Sequence, residues 1–120
     1  MSTIRTSNNH ISVELSVFVY KDIEYPNGDM YIAYCPELDL AGYDTTEENA
    51  RASFGCVLRE YLDYATENGT LEADLINHGW RKMKNGTIKE PTLNVMLRNT
   101  QLRNVLKQKS YNKYPVPIYA

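Results

Sequence analysis

The side chains of this 120-residue chain that could make or break a bond are few: two cysteines, Cys35 and Cys56, and two histidines, His10 and His78. Neither cysteine has a histidine near it in sequence, and nothing supplies the third group that would orient a Cys–His pair. Both cysteines are expected to be small buried residues, and their spacing fits neither a metal site nor a disulfide framework. His10 falls in a polar start, and His78 sits beside Gly79, where a cation suits a helix end.

Charge is the more informative chemistry. The formal net charge is −2, yet residues 1–79 carry 4 Lys/Arg against 14 Asp/Glu, a net −10, while residues 80–120 carry 9 against 1, a net +8. The acidic part is expected to repel nucleic acid and attract a basic partner. The basic part, with Arg98, Arg103 and Lys107, could contact phosphate. Mutual neutralisation of the two halves is the plainer alternative.

The elements that position these groups follow from periodicity. Residues 11–20 alternate, with Ile11, Val13, Leu15, Val17 and Val19 on an aliphatic face and Phe18 and Tyr20 ending the other. This predicts a central strand. Residues 25–29, Tyr-Pro-Asn-Gly-Asp, signal a turn. Residues 30–35 and 40–43 complete a three-stranded meander. Pro36 must end its strand or lie at an edge, and Gly42 allows a bend or a close backbone approach. Thr45, with Glu48 three residues on, reads as a capping box. Residues 46–68 then show one apolar stripe of Ala50, Phe54, Val57, Leu58, Tyr61, Leu62 and Ala65, with Gly69 as its stop. Burying that stripe on the sheet is the expected main stabilising event.

Thr70 is expected to cap a short helix with Leu71, Leu75 and Ile76 inward and Gly79 as its end. Residues 80–84 read as a fourth strand, most simply parallel to an earlier one, or as half of a small hairpin with residues 87–89. Asn68-Gly69-Thr70 and Asn85-Gly86-Thr87 match glycosylation acceptors and read as turns. Trp80 is expected in the core, and the basic run from Arg81 to Lys84 on a solvated edge. Pro91 opens a basic appendage with two short helical stretches interrupted at Asn99 and Thr100. Residues 110–120, with Pro115 and Pro117, form an extended tail that should dock on its own body or on a second copy. Residues 1–10 look frayed. No run of about 18 apolar residues is present. With no apolar run after Arg5, a reduced, cytoplasmic protein is expected.

The run YIAYCPELDLAGYDTTEENARASFGCVLREYL, residues 31–62, resembles the HicB antitoxin family in its strand, its Cys-Pro-Glu-Leu, its glycine and its Thr-Glu-Glu helix start. The likeness covers roughly residues 11–84. Two positions depart from it: Tyr43 follows Gly42 where the family has cysteine, and Asn49 precedes Ala50. The resemblance implies a truncated RNase H-like domain, with three antiparallel strands, one long helix on one face and a fourth strand. The chain is thus expected to be α+β, with a domain at 1–84 and a short helical appendage at 85–120. It further implies a partner, a small basic HicA-like toxin that cleaves mRNA, with Glu37, Asp39 and Asp44 placed by the motif in exposed loops as candidate contacts. Many relatives also bind operator DNA through a C-terminal module. No recognition helix stands out in residues 85–120, so Arg98, Arg103 and Lys107 are the candidate DNA contacts. A homodimer or higher oligomer is expected, built from the aromatic face of the first strand and the apolar tail. An RNase H-like fold also raises metal-dependent cleavage, which needs several converging carboxylates. Glu14, Asp44 and Glu48 are scattered, and residues 80–84 add no acid, so no catalytic residue, metal or cofactor is expected.

Overall fold

Strand β2 (Ser12–Lys21) has two apolar faces, and each carries its own layer of the structure. The computed structural model describes residues 3–5, 12–22, 28–84, 87–107 and 111–119. Leu15, Val17 and Val19 point to one side. There they join Ala33 and Cys35 of β3 (Tyr31–Cys35) and Ala50, Phe54 and Leu58 of α1 (Glu47–Glu67). Phe18 and Tyr20 point to the other side, with Ile32 and Tyr34 of β3, and are covered by Leu102 and Val105 of α4 (Thr100–Lys107). A fully buried Phe or Leu in such a layer contributes roughly 1.5–3 kcal/mol. The sheet is completed by β4 (Leu40–Asp44) and β7 (Asn112–Tyr119) in the antiparallel order β4-β3-β2-β7. The fold is therefore α+β, an antiparallel four-stranded sheet with a long helix packed on it and short helices besides, as the sequence predicts.

A second sheet, antiparallel and three-stranded, is made by β1 (Thr3–Arg5), β6 (Thr87–Lys89) and β5 (Arg81–Lys82), in the order β1-β6-β5. Here two expectations are corrected. Residues 3–5 are paired with β6 rather than frayed. The strand after Trp80 does not join the main sheet in parallel. It turns back antiparallel to β6, the local hairpin alternative, and the place of the fourth main strand goes to the C-terminal β7. A nonlocal partner with eight residues in register with β2 outcompetes a two-residue strand for that edge. The tail thus docks on its own body, and residues on both sides of position 84 share the sheet and both cores. The aromatic face of β2 and the tail, the two surfaces expected to build a dimer, are both covered or paired within one chain.

Two prolines in a sheet strand need a reason. The Ser16 amide points away from β7, because it donates to Glu37 on the β3 side. Ser16 and its register partner Pro115 are hence a pair without mutual hydrogen bonds, and the Pro115 nitrogen faces the open edge. Pro117, two residues on, has the same orientation. Neither proline breaks the ladder, and together they remove two donors from the exposed edge.

Helix α1 starts one residue later than the capping box implies. Thr46 is the N-cap, accepting from the Asn49 amide at 3.1 Å, while Thr45 is held by Asp44. Asn, not Glu, stands three residues after the true cap. Gly69 ends the helix at φ +65°, as expected. In α2 (Leu71–Asn77) Thr70 makes no side-chain cap. Its carbonyl accepts from the Asp74 amide, and its own amide donates back to the Ala65 carbonyl of α1. Leu75 is buried there but Ile76 is exposed, which corrects its inward assignment. The turn read at residues 25–29 lies mostly outside the described residues, as does Asn85-Gly86. Thr92 caps the short α3 (Leu93–Met96) through the Val95 amide. Among the described residues, no helix is long and apolar enough to cross a membrane.

Candidate functional site

Pro36 stops β3, and the strand break creates an unmet need one strand away. The Ser16 amide on β2 has no ladder partner left on that side. Glu37 turns inward and supplies one, its Oε2 accepting from Ser16 at 2.9 Å. The Cys35 thiol donates to Oε1 at 3.5 Å, and Trp80 Nε1 donates to the Glu37 carbonyl at 2.7 Å. Glu37 is thus only 4% exposed. It is not the exposed loop acid that the motif implies, and it is removed from the candidate contacts. Burial pushes its carboxyl pKa up, the Ser16 amide opposes this, and the nearby Glu90 carboxylate adds to the rise. Burial, and then Glu37, push the Cys35 thiol up as well, so it remains the S–H donor. Cys56, expected to be buried, is exposed.

A raised folded pKa means that the folded protein holds the Glu37 proton more tightly than the unfolded chain does. The slope of stability with pH is then negative across that window. The contribution is most favourable below the ordinary carboxyl range and is lost as pH rises through the folded pKa. In Glu37→Gln this term vanishes. Urea midpoints measured from about pH 4.5 to 7.5 should show wild type gaining on Glu37→Gln as the pH is lowered, with the ordinary surface carboxylates cancelling in the difference.

The second acid of this turn, two residues on, behaves differently. Asp39 is exposed and left-handed, at φ +53°. The Tyr34 hydroxyl donates to its Oδ1 at 2.8 Å, and Asn99 Nδ2 donates to that hydroxyl at 2.7 Å. Burial and the Asp39 carboxylate push the Tyr34 pKa up, which keeps it a donor. Asn99 Oδ1 accepts from the Gln101 and Leu102 amides, capping α4, and Gln101 Nε2 donates to the Tyr20 hydroxyl. One hydrogen-bonded chain thereby ties the β3–β4 turn, the start of α4 and the outer face of β2. Asn99 carries an anchoring role, where periodicity alone shows only an interruption. An Asn directly before a new apolar period is itself a helix-start signal.

Asp44, half-buried at the far end of β4, accepts from the Thr45 amide at 2.6 Å. Five residues of extended chain, roughly 16 Å, separate it from Asp39. The three acids picked from the motif are therefore one buried residue and two at opposite ends of a strand. The outer face of α1 adds Glu48, Glu60, Asp63 and Glu67, all exposed, against Arg51 and Arg59. Arg51 is engaged, its guanidinium lying 3.7 Å over the Tyr114 ring. Arg98, Arg103 and Lys107 are exposed on the opposite side of the sheet, where α4 packs. Arg103 and Lys107, four residues apart in α4, share one helix face.

Pro36 and Asp39 of the turn, Asn77, His78 and Gly79 at the end of α2, and Pro91, Val95, Met96 and Asn99 around α3 enclose a cleft of about 300 Å³. It draws on segments far apart in sequence, which is why local patterns do not reveal it. Among the described residues, no group of three or more His, Cys, Asp or Glu side chains is gathered as a metal site would need. No family model, curated protein or solved structure matches this chain.

Proposed function

We propose that this chain is an antitoxin-like binding protein of a type II toxin–antitoxin pair. Its role is to cover a small, basic, HicA-like mRNA-cleaving toxin by direct contact, without catalysis of its own and in the cytoplasm. The observation that carries this reading is the segregation of charge across the sheet. The exposed acids of α1, on one side of the sheet, lie apart from the cations of α4 on the other. A surface of one sign speeds capture of a partner of the other and weakens with salt. The resemblance of residues 31–62 to the HicB family points the same way.

The experiment is co-expression with the product of the adjacent reading frame, followed by affinity purification and calorimetric titration at low and high salt. A stable complex that weakens with salt and silences the partner's RNA cleavage is expected. An adjacent product that is not basic, or no complex at low salt, rejects the reading. A second reading, an autoregulator that binds operator DNA, rests on Arg98, Arg103 and Lys107 standing exposed with no acid in α4. Three phosphate contacts would give log K against log salt a slope of roughly −2.7. A mobility shift with the upstream DNA that is absent, or that persists in Arg103→Ala/Lys107→Ala, removes it.

A further inference from the structure

The cleft beside Asp39 lies outside that segregation of charge. We propose that it seats one arginine side chain of the basic partner. The partner's identity rests on the function proposed above; the chemistry of the pocket does not.

Its volume of about 300 Å³ is at the bottom of the range for small-molecule sites, roughly 300–1,000 Å³, which suits a single long side chain better than a nucleotide. Its walls are Pro36, Pro91, Val95 and Met96, an apolar sleeve for a methylene stem. Its polar groups favour a cation. Asp39 is a carboxylate whose Oδ1 is anchored by Tyr34 and, behind it, Asn99, leaving Oδ2 to accept from a ligand. His78 Nδ1 lies 2.8 Å from the Asp74 carbonyl. A carbonyl only accepts, so Nδ1 carries the hydrogen of that bond, and the Asp74 carboxylate lies 3.8 Å from the same nitrogen. Among the described residues, no lysine or arginine lines the cleft. The two coplanar oxygens of a carboxylate match the planar fork of a guanidinium better than the point charge of an ammonium. The carboxylate is fixed by its own anchors before any ligand arrives, so little ordering opposes binding.

The test is an NMR titration of the full chain with Nα-acetyl-arginine-N-methylamide, with the uncharged citrulline analogue as its isostere. Saturable shifts at Asp39, His78, Val95 and the Met96 methyl are expected, with citrulline at least tenfold weaker. Asp39→Asn should lose tenfold or more. Asparagine tolerates the left-handed backbone and can still accept from Tyr34, so the fold is kept. The same variant should weaken the basic partner at least tenfold. Absence of saturable shifts, equal binding of citrulline, or full affinity in Asp39→Asn would overturn the pocket. A partner that binds wild type and Asp39→Asn alike overturns it too while leaving the binding function standing. Arginine bound in the cleft with no basic protein partner found keeps the pocket and removes the antitoxin reading.

Discussion

Gly42→Ala should destabilise the protein by at least about 3 kcal/mol, at or beyond the upper end of ordinary overpacking. An added Cβ would lie 2.2 Å from the Phe54 nitrogen, 2.7 Å from its Cα and 2.8 Å from the Ser53 carbonyl carbon. All three are backbone atoms of α1. No side chain can rotate out of the way, so relief requires the helix to lift from β4. That movement would pull Phe54 and Leu58 from the core and stretch the bond from the Tyr43 amide to Ser53 Oγ. Gly55 is the control. It sits in the same helix, and a Cβ added there would meet nothing within 4 Å. Gly55→Ala should therefore stabilise by up to about 1 kcal/mol through helix propensity. Urea unfolding of both variants measures the contrast. A Gly42→Ala protein within about 1 kcal/mol of wild type would mean that α1 does not rest on β4 at this distance.

Gly42 shows what the sequence discloses well. A glycine in a β-prone run, just before a helix, implies close approach, and the apolar stripe of α1 names the face that approaches. Leu15, Val17 and Val19 likewise identify a core side by alternation alone, and Trp80 is buried as expected. What stays hidden is the identity of partners distant in sequence. Nothing local tells residues 3–5 that β6 awaits them, or residues 112–119 that β2 has a free edge. Pro115 and Pro117 argue against a strand unless one knows that their nitrogens face outward, and that depends on register. Glu37 misleads for a related reason. A charged loop residue is exposed by default, but the break at Pro36 leaves the Ser16 amide in want of an acceptor, and only the folded sheet reveals that. The candidate site is legible at Asp39 and in the separation of charge. It is not legible at Asn77, His78 or Met96, which come together only because α2 and α3 end beside the same turn.

A chain ending at residue 84 should fail to fold as an independent unit, contrary to what a domain boundary there implies. The shortened chain lacks β6, both C-terminal helices and β7. Loss of α4 bares Phe18, Tyr20, Ile32 and Tyr34, which with Leu102 and Val105 make the second core. At roughly 1.5–3 kcal/mol for each large buried side chain, uncovering four of them is comparable to the whole stability of a small domain, about 5–15 kcal/mol. Loss of β7 also strips eight paired residues from β2 and the Tyr114 and Val116 contacts with the first core. Removing residues 111–120 alone separates the two losses. That chain keeps α4 but leaves a long open edge on β2, so it should melt well below wild type and tend to self-associate through that edge. Circular dichroism melts and amide NMR dispersion read both outcomes. A cooperative melt with native-like dispersion from residues 1–84 would show that α4 and β7 are additions to a finished core, and the two-sided sheet would then no longer be the unit that holds the acidic and basic faces apart.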